Sequence, residues 1–140
     1  MNWTDSIFHR IIQGDAPSYK VYEDDDFFVI LDIFPMALGH SLILPKKPAV
    51  DIFDLCPVVA GKLYPMAARI ARAVKAATAC DGVKIIQNNG AAAGQVVFYF
   101  HLHIVPYFDG MPEHSQHNRI TGKPTDGDFA LMADKIRSLL

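Results

Sequence analysis

Gly94-Gln95-Val96-Val97-Phe98-Tyr99-Phe100-His101-Leu102-His103-Ile104-Val105-Pro106 is the stretch whose reading decides the fold. From Val96 to Val105 every residue is β-branched, aliphatic, aromatic or histidine, and none carries a fixed charge. Glycine opens the run and proline closes it, which is strand composition. Strand side chains alternate between faces. Phe98, Phe100, Leu102 and Ile104 therefore share one face, and Gln95, Val97, Tyr99, His101, His103 and Val105 share the other. The first face belongs to a core. The second places two imidazoles about 7 Å apart, the rise of two strand residues. Gln95 joins them if the strand runs regularly that far back.

The chain around this strand reads as a meander. Asp5 to Gln13 has the pattern of a short helix with Asp5 as its N-cap. Tyr19 to Tyr22 and Phe27 to Leu31 read as strands joined by an acidic, solvated turn at Glu23 to Asp26. Ser41 to Leu44 is a third strand, ended by Pro45, and 48–55 reads as loop or a single helical turn. From Val58 to Ala79, Val59, Leu63, Met66, Ile70, Ala73 and Ala77 recur at three and four residues, one apolar helical stripe. Pro65 inside it predicts a kink or a late start, because a mid-helix proline costs about 3 kcal/mol. Asp81-Gly82 is the stop signal. Val83 to Asn88 reads as the fourth strand and the His strand as the fifth. Residues 110–127 read as loop, with His114 and His117 exposed and idle. Asp128 to Leu140 carries Phe129, Met132, Ile136 and Leu139 at helical spacing, a helix that docks on the sheet or on a partner chain.

A His-x-His pair on one sheet face has three readings. Both rings are satisfied core histidines; or they are metal ligands, which need further His or carboxylate partners; or one neutral ring is a nucleophile and the other binds a charged substrate. The residues alone leave these open. Asp32, at a strand end, could accept both hydroxyls of a ribose or simply cap a turn. Asn88 could donate to a phosphate or fix the Asn-Gly turn. Ile7, Phe8, Ile11, Ile30 and Ile33 could be plain core or a flat apolar wall for a nucleobase. His40 reads as structural.

The spacing Gln95-x-Val97-x-x-x-His101-Leu102-His103-Ile104-Val105 resembles the signature of the histidine triad (HIT) superfamily, Gln-x-x-x-His-φ-His-φ-His-φ-φ with φ apolar. Ile7-Phe8-x-x-Ile11-Ile12, Leu31-Asp32-Ile33-x-Pro35, Gly39-His40-x-Leu42-Ile43-Leu44-Pro45-Lys46-Lys47 and Gln87-Asn88-Asn89-Gly90 are similar to other parts of that family, in its order, over about residues 5 to 108. Two positions depart: the first triad histidine is Tyr99, and the small hydroxyl residue that usually follows the Gln is Val96. The resemblance implies an α+β HIT-like fold. Its parts are a five-stranded antiparallel sheet, one long helix, a short N-terminal helix and a C-terminal helix, in a homodimer with an extended sheet. It takes 1–140 as one domain with a variable tail at 109–140. It also implies roles: His101 as nucleophile, His103, Gln95 and Asn88 on phosphate, Asp32 on ribose, and Ile7, Phe8, Ile11, Ile30 and Ile33 at the base. The implied reaction is hydrolysis at the α-phosphate of a purine nucleotide conjugate, a dinucleoside polyphosphate or a phosphoramidate, through a nucleotidyl-histidine. No cofactor is implied, though Mg²⁺ can arrive with a polyphosphate. The structural zinc of some members would fall on Ser6, His9, Pro48 and Tyr99, of which His9 alone could coordinate. Loss of the triad histidine and the hydroxyl keeps a second reading in view, a nucleotide-binding module without useful turnover.

Composition narrows the partners. The 140 residues are 51% hydrophobic and 20% charged with a net charge of −2, ordinary for a globular chain and without the basic excess that nucleic acid attracts. The start, Met1-Asn2-Trp3-Thr4-Asp5, has no basic or apolar leader character, and no apolar run nears the roughly 20 residues a bilayer span needs. Cys56 and Cys80 are far apart and read as free thiols. Together these predict a cytoplasmic protein without membrane or nucleic-acid partners.

Overall fold

The computed structural model describes residues 2–110 and 123–140; His114 and His117 lie outside them. The first helix starts later than the sequence pattern suggests. Asn2 accepts the Thr4 N–H and Trp3–Asp5 close a 3-10 turn, so Asp5 is inside that turn. Ser6 is the cap instead: its Oγ accepts the Phe8 N–H at 3.1 Å and launches α1, Ile7–Ile12.

Three strands follow, β1 (Lys20–Glu23), β2 (Phe27–Leu31) and β3 (Ser41–Pro45). Asp24 makes the turn between the first two, its Oδ1 accepting the N–H of Asp26 at 2.8 Å and of Phe27 at 2.7 Å. Then comes α2, Pro57–Thr78, followed by β4 (Gly82–Ile86), β5 (Leu102–Tyr107) and α3 (Asp126–Ser138). The strands form one antiparallel sheet in the order β1-β2-β3-β5-β4, so the His strand sits between β3 and β4.

α2 runs through Pro65 without a break. The proline displaces the bond that would reach Gly61 four residues back, and both lie on the solvent side, where water can take the freed carbonyl. Ala79, with φ of 55°, ends the helix in the left-handed conformation, and Gly82 already belongs to β4. α3 begins two residues before Asp128 because Thr125 and Asp128 form a reciprocal capping box.

The sheet separates two apolar layers. Val29 and Leu31 of β2, Ile43 of β3 and Leu102 and Ile104 of β5 face Val59, Ile70 and Val74 of α2 and Phe129 and Ile136 of α3. The alternate residues Phe28, Ile30, Leu42 and Leu44 face Phe8 and Ile11 of α1, with Tyr99 among them. α3 docks on α2 and on β1 of its own chain; Phe129 stacks on Tyr19 at 5.1 Å between ring centroids, and Arg137 donates to the Lys20 carbonyl. Cys56 and Cys80 are free. Among the described residues no helix is long and apolar enough to cross a membrane.

Strand β5 is shorter at its start and longer at its end than the sequence suggests. Residues 96–101 are irregular, because their polar groups reach the loop after β3 rather than a neighbouring strand: the Phe100 N–H donates to the Ala49 carbonyl at 2.7 Å. Pro106 lies within β5 opposite Val83, beyond the last β3 partner of the strand at Ile104, so its missing N–H removes nothing from that ladder. β4 stops at Ile86, after which Gln87 and Asn89 bond to each other through their side-chain amides.

Gly39 fixes the approach to β3. Its φ is +105°, and a Cβ there would lie 2.6 Å from Thr78 Cγ2. Gly39→Ala is therefore expected to cost about 2 kcal/mol or more, from backbone strain plus overpacking, read as a lower urea midpoint at unchanged slope.

Candidate functional site

The residues singled out from the sequence fall into two groups. The first is a row of rings on the α1 side of the sheet. Phe8 meets His101 edge-on at 5.0 Å, His101 meets His103 at 4.8 Å, and His103 meets His40 at 5.1 Å, all between ring centroids. The histidines are thus closer than the rise along a strand suggests, because His101 stands at the entrance to β5 and not within it.

Backbone groups set the tautomers. His101 Nδ1 lies 2.7 Å from the Tyr99 carbonyl oxygen, which can only accept. Nδ1 therefore carries the proton and, in the neutral ring, Nε2 carries a bare lone pair. At the other end, the Met36 N–H donates to His40 Nδ1 at 3.2 Å, which places the proton of that ring on Nε2. His40 Nε2 is 2.9 Å from His103 Nδ1, so His103 accepts there and bears its own proton on Nε2.

Burial keeps these rings uncharged. It pushes the pKa of His101 down, only partly offset by the Tyr99 carbonyl and the Asp32 charge. It pushes His103 down to about 3, helped by the neighbouring His40 and His101, and pushes His40 down against the pull of Asp32.

Asp32 stands beside this row. Its Oδ1 accepts the Phe34 N–H at 2.8 Å, so it does cap a turn, and its Oδ2 lies 3.5 Å from His40 Nε2. The apolar candidates divide. Ile11 and Ile30 are buried in the layer under α1, whereas Ile7 and Ile33 are 44% and 49% exposed and can offer surface to a flat ring.

The second group is a knot of amides. Gln95 is 4% exposed. Its Oε1 accepts the Gly90 N–H at 2.7 Å, and its Nε2 donates to the carbonyls of Val50 at 2.7 Å and Val97 at 3.2 Å. Both amide hydrogens are engaged by backbone, so Gln95 ties the loop after β3 to the 90–97 segment and has no N–H left for a phosphate. This departs from the phosphate contact expected of it. The reason is the irregular backbone, which turns Gln95 inward. Asn88 makes one long bond, 3.4 Å from its Nδ2 to the Gly94 carbonyl. Val96 is exposed.

Comparison with known proteins settles the family. The HIT domain model matches residues 13–110. An uncharacterized HIT-like protein of Mycobacterium tuberculosis is 42% identical over 104 residues, 74% of this chain and 72% of that one. This chain belongs to the HIT family. The adenylylsulfatase HINT3 of Arabidopsis thaliana is 42% identical over 102 residues, 73% of this chain and 52% of that protein. The crystal structure of a zinc-bound histidine triad family protein from Mycobacterium smegmatis superposes with a TM-score of 0.82 at 34% identity, over 99% of this chain and 94% of that one.

The residues at the positions expected to match the structural zinc of some members do not fit that metal. Ser6 Oγ caps α1, Pro48 has no ligand atom, and the Tyr99 hydroxyl donates to the Pro45 carbonyl at 2.5 Å. Only His9 remains, packed between Trp3 and Tyr99, and one ligand does not hold zinc. A second cluster, Asp32, His40 and His103, brings ligand atoms within 4.8 Å of one another. The Met36 N–H occupies His40 Nδ1, which leaves no lone pair on Nε2, so the three form a hydrogen-bonded chain and not a ligand set.

Sequence reasoning missed the place of His40. Its only signal was the Gly39-His40 step into β3, which says nothing about a partner 63 residues away.

The depressed histidines carry a stability signature. In the unfolded chain they titrate near 6.5, and in the fold lower. The unfolded state binds more protons in that window, so stability rises with pH there. Stability is complete above about pH 6.5 and is lost as pH falls toward the His103 value of about 3. Urea midpoints measured from pH 7.5 to 4 are expected to fall, and His103→Gln to flatten the fall.

Proposed function

We propose that this protein is a nucleotide hydrolase that attacks the α-phosphate of purine nucleotide conjugates with His101 Nε2. The observation that carries the reading is the 2.7 Å bond from His101 Nδ1 to the Tyr99 carbonyl, which leaves a bare, neutral Nε2 on a half-buried ring. The adenylylsulfatase activity named for the Arabidopsis relative supports the same substrate class.

In this reading the ribose hydroxyls donate to Asp32 and the base lies against Ile7 and Ile33, with the buried Phe8 behind them. Nε2 forms a bond to phosphorus as the leaving group departs with its electron pair. The ring becomes cationic, and its Nδ1–H already donates to a carbonyl that strengthens with that charge. His103 Nε2–H and the Asn88 amide donate to the non-bridging oxygens, where negative charge is held through the transition state. Water then attacks phosphorus, the P–N bond breaks, Nε2 recovers its lone pair, and the proton lost by water leaves to solvent. Gln95 acts by holding the 90–97 segment. With a polyphosphate substrate, Mg²⁺ arrives bound to that substrate. The protein works as a homodimer joined through the open β4 edge, a point that sedimentation at twice the chain mass would support and at one chain mass would refute.

The phosphoramidate, the polyphosphate and adenylyl sulfate differ only in the leaving group. A side-by-side rate comparison on adenosine 5′-phosphoramidate, diadenosine tetraphosphate and adenylyl sulfate is the direct test. Wild type should release AMP from at least one, and His101→Asn should lower kcat by about a thousandfold or more while still binding AMP. AMP binding with no release from any of the three would establish the binding-module reading, which the exposed Val96 in place of a hydroxyl residue favours.

A further inference from the structure

His40 stands between Asp32 and His103, the ribose and phosphate ends of the proposed site. It is 3% exposed, and its ring nitrogens serve in opposite senses. Nδ1 receives the Met36 N–H at 3.2 Å. The Nε2–H donates to His103 Nδ1 at 2.9 Å, and Asp32 Oδ2 lies 3.5 Å from the same nitrogen. A carboxylate is a stronger acceptor than a neutral imidazole nitrogen, so Asp32 pulls on that N–H from beside its bond.

The surroundings do not let the ring adapt by turning. Flipping it would set the Cδ2–H against the Met36 N–H and take the acceptor away. Met36 itself is held by a short loop in which the His40 N–H donates to the Ala37 carbonyl at 3.0 Å, and Gly39 is pressed against Thr78. Asp32 is tied to the same loop, its own N–H donating to the His40 carbonyl at 2.8 Å and its Oδ1 accepting from Phe34. Oδ2 is thus the freer oxygen of Asp32, and it is the one turned toward His40.

We infer that His40 is a positioning residue that couples ribose binding to the phosphate end of the site, through the single Nε2–H it shares between Asp32 and His103. The inference rests on the reading of Asp32 as the ribose acceptor. With the site empty, Asp32 Oδ2 draws that N–H away from the line to His103. When ribose hydroxyls donate to Asp32, its carboxylate is a weaker acceptor for a third donor, and the His40 Nε2–H, staying on its nitrogen, points more squarely at His103 Nδ1. The His103 ring is then held with its own Nε2–H toward the phosphate. Ribose hydroxyls consequently act on kcat as well as on KM, because part of their binding is realised only at the reacting end.

Two measurements test this. In wild type, replacing the ribose by 2′,3′-dideoxyribose in the phosphoramidate substrate should lower kcat by about tenfold, within the usual range of coupling between sites, and raise KM. In His40→Leu the kcat ratio between the two substrates should fall to about one while the KM difference, which belongs to Asp32, persists; His40→Gln, which can accept and donate at once, should recover part of the ratio. An unchanged kcat ratio in His40→Leu overturns the inference.

The second measurement needs no turnover and no variant. Histidine side-chain ¹⁵N spectra of the wild-type protein are expected to show His40 protonated on Nε2, and AMP should move His103 Nδ1 toward stronger acceptance where 2′,3′-dideoxy-AMP does not. Equal shifts with both nucleotides, or a His40 proton on Nδ1, sink the coupling alone. No shift of any site resonance with either nucleotide removes the ribose reading of Asp32, and the coupling with it.

Discussion

Strand β5 has to serve two layers at once, and the rest of the molecule is arranged around that requirement. Leu102 and Ile104 point into the layer under α2 and α3, where they are 4% and 0% exposed. The residues between and before them point the other way, so a strand in the middle of the sheet can carry imidazoles without a polar group entering the main core. β3 on one side and β4 on the other hold this strand in register. The segment before it is free of the ladder, and that freedom brings the Tyr99 carbonyl back onto His101.

The carbonyl, rather than any side chain, fixes the tautomer of His101. That bond uses only the backbone of residue 99. The Tyr99 ring is fully buried among Phe8, Ile30, Leu42 and Leu44, with its hydroxyl on the Pro45 carbonyl, and burial raises its pKa so that it remains a phenol. The side chain is held by packing and one hydrogen bond, and the carbonyl that His101 depends on is separate from both. The same economy holds at His40, whose proton is placed by the Met36 N–H. Side-chain substitution at 36 or 99 leaves both backbone partners in place.

Much of the fold was legible because it follows from short periods. Short apolar runs bounded by turn residues gave β2 and β3 almost to the residue, and the apolar stripe from Val59 to Ala77 gave the buried side of α2. What was not legible depends on partners distant in sequence or on competition between similar groups. Ser6 outcompetes Asp5 as cap because a 3-10 turn absorbs Asp5. Pro65 is tolerated because Gly61 and the solvent face remove the cost. The extended look of Val96 to Phe100 misled because Phe100 bonds to Ala49 and Gln95 to Val50, contacts no local pattern encodes. His101, His103 and Asp32 were singled out by spacing and resemblance, whereas His40 was read as structural, since its contact with His103 lies across 63 residues.

The central claim is that His101 Nε2 takes the nucleotidyl group. Acid-stable conditions do not preserve a phosphoimidazole, so the direct measurement is a rapid alkaline quench of wild-type protein with an adenosine phosphoramidate, followed by mass analysis of its peptides. The account predicts one adenylyl group per chain, on the peptide bearing His101 and lost when position 101 is changed. Turnover with no adduct at any time point, or an adduct on His103 or His40 that persists in His101→Asn, would contradict it.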